Sequence, residues 1–142
     1  MSYGYRKSSH TIYLLTVHLV WITKYRYPIL KGAIALRTRD LVRRICSENN
    51  AEILSGAVAP RHVHIHVSYP PNISISKLTQ FIKGTTSRKL QQEFPELGKR
   101  YWGQHMWARG FYAASSGNVT KEMIDEYIRN HKDEDEDFKI TP

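Results

Sequence analysis

The segment His62-Val63-His64-Ile65-His66-Val67 alternates strictly between imidazole and branched aliphatic side chains. A period of two matches an extended strand, whose successive side chains point to opposite faces, and does not match a helix. Val63, Ile65 and Val67 then face a core, and the three histidines share the other face. Neighbouring imidazoles on that face are spaced roughly 6.6 Å at their Cα atoms, and the outer pair roughly 13 Å. Two neighbours can converge on one ion, so the pattern offers His62 with His64, or His64 with His66. Imidazole suits zinc, manganese, iron and nickel, and magnesium less readily. The same alternation also describes polar residues on the open face of any half-buried strand.

The other elements follow from periodicity and breakers. Residues 12–25 are β-branched and aromatic and are closed by Tyr27-Pro28, which predicts a strand. Ile34, Leu41, Val42 and Ile45 fall at helical spacing opposite Arg37, Arg39, Arg43 and Arg44, and Asn49-Asn50 ends that helix. Strands over 51–59 and 62–69 are separated by Pro60-Arg61. A helix over 75–94 carries Leu78, Phe81, Ile82 and Leu90, with Gly84 marking a bend or a close approach by a ligand. Residues 102–107 are aromatic and irregular, 111–114 form a last strand, and Ser115–Asn118 link it to a helix over 120–132. The order β-α-β-β-α-β-α predicts an α+β fold, a ferredoxin-like split βαβ sandwich with an appended helix.

The 142 residues are enough for one domain, here 1–132, followed by an acidic tail over 133–142. The tail holds five of the 13 acidic residues. Removing the tail, which also holds Lys139, leaves 20 basic and 8 acidic side chains, so residues 1–132 carry a net charge of +12. With nine tyrosines and three tryptophans, such a body suits a polyanion bearing stackable bases better than a membrane surface. A single cysteine, Cys46, excludes an internal disulfide framework and a cysteine-based zinc site. The lack of an apolar leader or spanning run predicts a cytoplasmic protein.

In the last helix Tyr127 and His131 are four residues apart and share a face. Read alone, Tyr127 fits the apolar stripe of Met123, Ile124 and Ile128 as a packing residue.

Five motifs in order bear on this reading: the first strand Val17-His18-Leu19-Val20-Trp21-Ile22-Thr23-Lys24-Tyr25-Arg26; Pro60-Arg61-His62-Val63-His64; Phe81-Ile82-Lys83-Gly84-Thr85-Thr86-Ser87-Arg88; Trp107-Ala108-Arg109-Gly110-Phe111-Tyr112; and Tyr127-Ile128 in the last helix. Together, from about His10 to Lys132, they resemble the single-tyrosine transposases of the HUH superfamily, IS200-like enzymes that move insertion sequences through single-stranded DNA. The resemblance implies Tyr127 as nucleophile and His62 and His64 as metal ligands, with His66 a bystander. The third ligand position, commonly a glutamine, maps onto His131, and Arg61 stands where relatives commonly carry aspartate. A divalent ion, Mg2+ or Mn2+, is the implied cofactor, and the implied product is a 5′-phosphotyrosine that a later 3′-hydroxyl can displace.

The resemblance further implies a bacterial or archaeal homodimer in which the tyrosine helix moves on a hinge at Ser115–Asn118, the first strand lying at the dimer edge. Lys83, Arg88 and Lys89, with Arg37, Arg39, Arg43 and Arg44, are expected at single-stranded or hairpin DNA phosphates. Tyr101, Trp102 and Trp107 are expected either to stack on unpaired bases or to pack in the core. Two other readings share parts of the pattern. A replication-initiation nuclease or relaxase shares the histidine pair but is usually longer, and relaxases carry the tyrosine upstream of the histidines. A catalytically silent nucleic-acid-binding module shares the basic charge.

Overall fold

In the computed structural model, residues 5–8, 10–115 and 120–130 are described. A small hairpin of β1 (Arg6–Lys7) and β2 (Ile12–Tyr13) comes first, followed by β3 (Thr16–Ile22). The stretch expected as one strand over 12–25 is therefore divided. Its far end is a 3-10 turn over Lys24–Arg26, where Tyr25 and Arg26 take φ of 64° and 53°. That left-handed backbone cannot continue a ladder. The chain proceeds through α1 (Gly32–Glu48), β4 (Glu52–Val58), β5 (His62–Ser68), α2 (Ile75–Glu93), α3 (Pro95–Tyr101), β6 (Tyr112–Ala114) and α4 (Lys121–Asn130).

The main sheet has the order β4-β5-β3-β6 with every neighbouring pair antiparallel. β3 and β4, joined by α1, run parallel with β5 between them. This is the expected split βαβ arrangement. The first long strand does not lie at an edge, however. β3 is hydrogen-bonded on both sides, and the edges are β4 and β6. A dimer that extended this sheet would have to use one of those two strands.

Helix α1 buries Leu41, Val42, Ile45 and Cys46, and its arginines lie on the other side. It ends where expected: Asn50 takes φ 57°, and the Ala51 N–H returns to the Cys46 carbonyl at 2.8 Å. In α2 the Ser74 hydroxyl caps the helix by accepting from the Lys77 N–H, and Leu78, Ile82 and Leu90 are fully buried. Phe81, expected in that apolar stripe, is instead exposed, with the Lys77 ammonium over its ring. Thr79 and Thr86 are buried in α2, each hydroxyl donating to the carbonyl four residues back. Thr86 Oγ1 also accepts from Trp107 Nε1 at 2.9 Å, so the buried indole has its partner.

The helix α3 was not expected from the sequence, which shows no apolar period there. Pro95 at its first turn starts a new helix directly after Phe94, which the previous helix cannot enter. Trp102 caps α3 in the left-handed region (φ 57°, ψ 33°), which costs a bulky L-residue about 1–2 kcal/mol. The irregular segment beyond it is tied down. Met106, Trp107 and Ala108 are buried, and backbone bonds from Lys24 to Met106 and from Ala108 to Ile22 align the segment with β3.

Val17, Leu19 and Trp21 of β3 and Val63, Ile65 and Val67 of β5 form one core with α1, α2 and α3. The opposite sheet face carries the histidines. Among the described residues no helix is long and apolar enough to cross a membrane.

Candidate functional site

The strand pairing assembles the site. β5 lies beside β3 with His62 opposite Ile22, His64 opposite Val20 and His66 opposite His18. β6 flanks β3 on the other side, with Tyr112 opposite Val20 and Ala114 opposite His18. Directly opposed residues in adjacent strands point to the same face. His62, His64, His66, His18 and Tyr112 therefore share the face away from α1 and α2, and His64, Val20 and Tyr112 form one row across it.

His18 is the member that the sequence reading did not place. Its ring stacks on His66 with centroids 4.0 Å apart and an interplanar angle of 2°, and its Nδ1 faces His64 Nε2 at 3.5 Å. That separation is long for a hydrogen bond. His18 Nε2 is buried without a hydrogen-bond partner among the described residues. The only local hint was that His18 alternates with the apolar Val17 and Leu19.

Helix α4 brings in Tyr127, whose ring lies 5.4 Å from that of Tyr112 at a tilt of 49°. Ile124 is buried and Tyr127 and Ile128 are half-buried, whereas Met123 is exposed, so the apolar stripe read from the sequence holds for Ile124 and Ile128, includes the tyrosine and leaves Met123 out. Asp125 of the same helix is near enough to His62 to favour its charged form. Tyr127 thus brings the helix to the Tyr112 end of the row, with Asp125 within electrostatic range of His62. His131, the expected third ligand, lies outside the described residues, as do Ser116, Gly117 and Asn118 of the expected hinge and the acidic tail over 133–142.

The electrostatics favour neutral imidazoles. Burial holds His62, His64 and His18 below the ordinary imidazole value. Repulsion adds to it, from His64 at His62, from His66 at His64, and from both His66 and His64 at His18. A neutral imidazole keeps the lone pair that a metal needs. Among the described residues, however, no three histidine, cysteine, aspartate or glutamate side chains converge on one position. His62 and His64 fit an imidazole-binding ion as a pair that requires a further ligand. Burial raises the Tyr127 phenol above its ordinary value, which keeps it protonated at neutral pH. Arg61 is engaged within the protein, its Nε donating to the Arg26 carbonyl at 3.0 Å.

The basic residues divide into two groups. Arg37 makes a two-bond ion pair with Glu93 at 2.7 and 3.0 Å, and Lys83 Nζ donates to the Ala108 and Gly110 carbonyls, both at 2.9 Å. These two are engaged within the protein. Arg43, Arg44 and Arg88 are exposed and Lys89 is partly exposed, on helices that cover the sheet face opposite the histidines. Of the three aromatic residues, Tyr101 and Trp107 are buried and Trp102 is exposed.

Comparison with known proteins bears on the whole chain. The family model described as "Transposase IS200 like" matches residues 11–131. The ISDra2 transposase TnpA of Deinococcus radiodurans is 29% identical over 130 residues, covering 92% of this chain and 93% of that protein. The transposase for insertion sequence element IS200 of Salmonella typhimurium is 29% identical over 127 residues, covering 89% of this chain and 83% of that one. A crystal structure of a candidate transposase from Deinococcus radiodurans matches with a TM-score of 0.80 at 30% identity, over 88% of this chain and 96% of that chain. A REP-associated tyrosine transposase bound to a REP hairpin shares the fold, with a TM-score of 0.52 at 16% identity over 84% and 68% of the two chains.

Proposed function

The chain belongs to the IS200-like transposase family, and on that premise we propose that it cleaves and rejoins single-stranded DNA at insertion-sequence ends with Tyr127 as nucleophile. The observation that carries the reading is the docking of α4 on the histidine face, where the Tyr127 ring packs 5.4 Å from that of Tyr112 in the row that includes His64. In the first step the Tyr127 hydroxyl oxygen bonds to phosphorus, the bond from phosphorus to the 3′ oxygen breaks, and that oxygen takes up a proton. The strand ends as a free 3′-hydroxyl and a 5′-phosphotyrosine. A second 3′-hydroxyl reverses the step and joins strands without ATP, because the phosphotyrosine has kept the bond energy.

His62 and His64 would hold a divalent ion, Mg2+ or Mn2+, with His131 as third ligand. When bound, such an ion supplies charge stabilisation for the phosphoryl group and promotes ionisation of the phenol. The chain's own part is to keep both imidazoles neutral by burial and to hold Tyr127 near them on a short helix. Val20, fully buried between His64 and Tyr112 in the row, contributes apolar packing beneath the reacting groups.

The solved relative bound to a REP hairpin supports hairpin DNA as a partner. Phosphates bound at Arg43, Arg44, Arg88 and Lys89 lie on the helical layer. A strand held there must pass round an edge of the sheet to reach the histidines, or reach those of a second copy. A homodimer meets that requirement, with the helical layer of one copy holding the strand that the histidine face of the other receives.

The test is cleavage of end-labelled single-stranded DNA carrying an insertion-sequence end, with Mg2+ or Mn2+ and with chelator. Cleavage is expected only with the ion, and Tyr127→Phe is expected to abolish it while DNA binding persists. Cleavage that survives chelation would remove the metal from the account.

A further inference from the structure

Beside Trp102 lies an open cleft of about 800 Å3 between α2, α3 and the turn that follows α3. We propose that this cleft takes an unpaired nucleobase of the DNA strand, stacked on Trp102, with Arg88 at the adjoining phosphate. The proposal rests on reading the chain as one that handles single-stranded DNA, and it adds a site away from the histidine face.

Trp102 is 87% exposed, whereas its neighbours Tyr101 and Trp107 are each 4% exposed. The indole does not project from a loose loop. The Trp102 and Gly103 N–H groups both return to the Gly98 carbonyl, and the Gln104 N–H returns to Tyr101. The turn keeps a bulky residue in left-handed backbone, where glycine would be easier, and presents its ring to solvent. Strain of this kind, held by surrounding bonds, is characteristic of binding positions.

The chemistry of the walls narrows the occupant. Arg88, Gln92, Gln104 and His105 line the cleft and are exposed, and among the described residues no acidic side chain lines it. An aromatic platform with amide groups and a guanidinium can stack a base, hydrogen-bond its edge and neutralise its phosphate. A cationic ligand would find no countercharge among these residues.

Gly84 supplies an independent observation. It sits inside α2, where glycine is unfavourable relative to alanine, and it lines the same cleft. A Cβ added there would meet no atom within 4 Å. The other two cleft glycines have internal reasons: a Cβ on Gly98 would come within 3.1 Å of the Gln91 carbonyl oxygen, and Gly103 takes φ of 70°. Nothing within the described protein needs Gly84 to lack a side chain. A ligand that approaches the helix backbone does.

The test is fluorescence anisotropy with a labelled mixed-sequence single strand and with a strand of equal length built from abasic units. Trp102→Ala is expected to weaken binding of the base-containing strand about 5- to 150-fold, the range for loss of one stacked base. The abasic strand is expected to bind wild type and variant alike, and Trp102→Phe to keep most of the affinity. Gly84→Ala is expected to raise the thermal midpoint yet weaken binding, a combination that a structural role for Gly84 would not produce. Equal affinity of wild type and Trp102→Ala for the base-containing strand overturns the proposal, as does a wild-type chain that does not bind that strand. Adduct formation is scored on the same preparations. An adduct with unchanged Trp102→Ala affinity overturns the cleft alone. Trp102-dependent binding without an adduct leaves the cleft standing and overturns the strand-transfer reading.

Discussion

His18, His62 and His64 share one electrostatic condition, since burial is the largest cause that lowers each imidazole from its ordinary value. An imidazole whose pKa is lower in the folded chain binds fewer protons there than in the unfolded chain, between the folded value and the unfolded value of about 6.5. The stability associated with the neutral form is complete above about pH 6.5 and is lost as pH falls through the folded values. The thermal midpoint is therefore expected to fall between pH 7 and pH 5, and the fall to be shallower in a His18→Gln, His64→Gln double variant. An unchanged slope in that variant would place the acid sensitivity elsewhere. At this scale the shared face of His62, His64 and His66 was legible, because strict alternation places their side chains together without any knowledge of the fold, and only the resemblance singled out His62 with His64. The position of His18 was not legible, because its place beside His64 and His66 depends on the antiparallel register of β3 against β5, which no local pattern encodes. Trp102 shows a related limit. Two adjacent aromatic residues, Tyr101 and Trp102, look alike in sequence, and the C-terminal cap of α3 sends one inward and the other out.

At the scale of elements, α2 carries two kinds of cation with different work. Lys83 ties the helix to the carbonyls of the Ala108–Gly110 loop, and Arg88, one turn further along, is exposed at the cleft. Lys83→Met is expected to cost about 1–2 kcal/mol in urea unfolding, from the loss of two bonds between an ammonium and carbonyl groups, one partly buried and one exposed. Arg88→Ala is expected to leave stability within about 0.5 kcal/mol and to reduce the salt slope of DNA binding by about 1. The reverse pattern, with Lys83 setting the salt slope and Arg88 the stability, would contradict this division. The lysine and the arginine sit in the same basic motif, so sequence alone treated them alike. The helices were legible where a stripe was long, as in α1 and α2. The seven-residue α3 is too short to show a period, and only Pro95 marked its start.

At the scale of the whole molecule, the sheet divides the labour between its faces. One face is closed by α1, α2 and α3 and carries the exposed basic residues on their outer side, and the other carries the histidines and receives α4. The order of element types was enough to anticipate the split βαβ sheet, because few topologies accommodate β-α-β-β-α-β with short connections. The dimer-edge position expected of the first strand from the resemblance does not hold, because β3 is hydrogen-bonded on both sides. A body of net charge +12 makes nucleic-acid affinity expected of the molecule as a whole, and such affinity alone does not separate an enzyme from a binder. The separating measurement is to locate the covalent attachment. A labelled single strand carrying an insertion-sequence end is incubated with protein and Mn2+, the denatured adduct is digested, and the nucleotide-bearing peptide is identified by mass spectrometry. The expected result is a 5′-phosphate on Tyr127 in wild type and no adduct in Tyr127→Phe or His64→Ala. Strand cleavage with the nucleotide on another residue, or with no covalent adduct, would contradict the account.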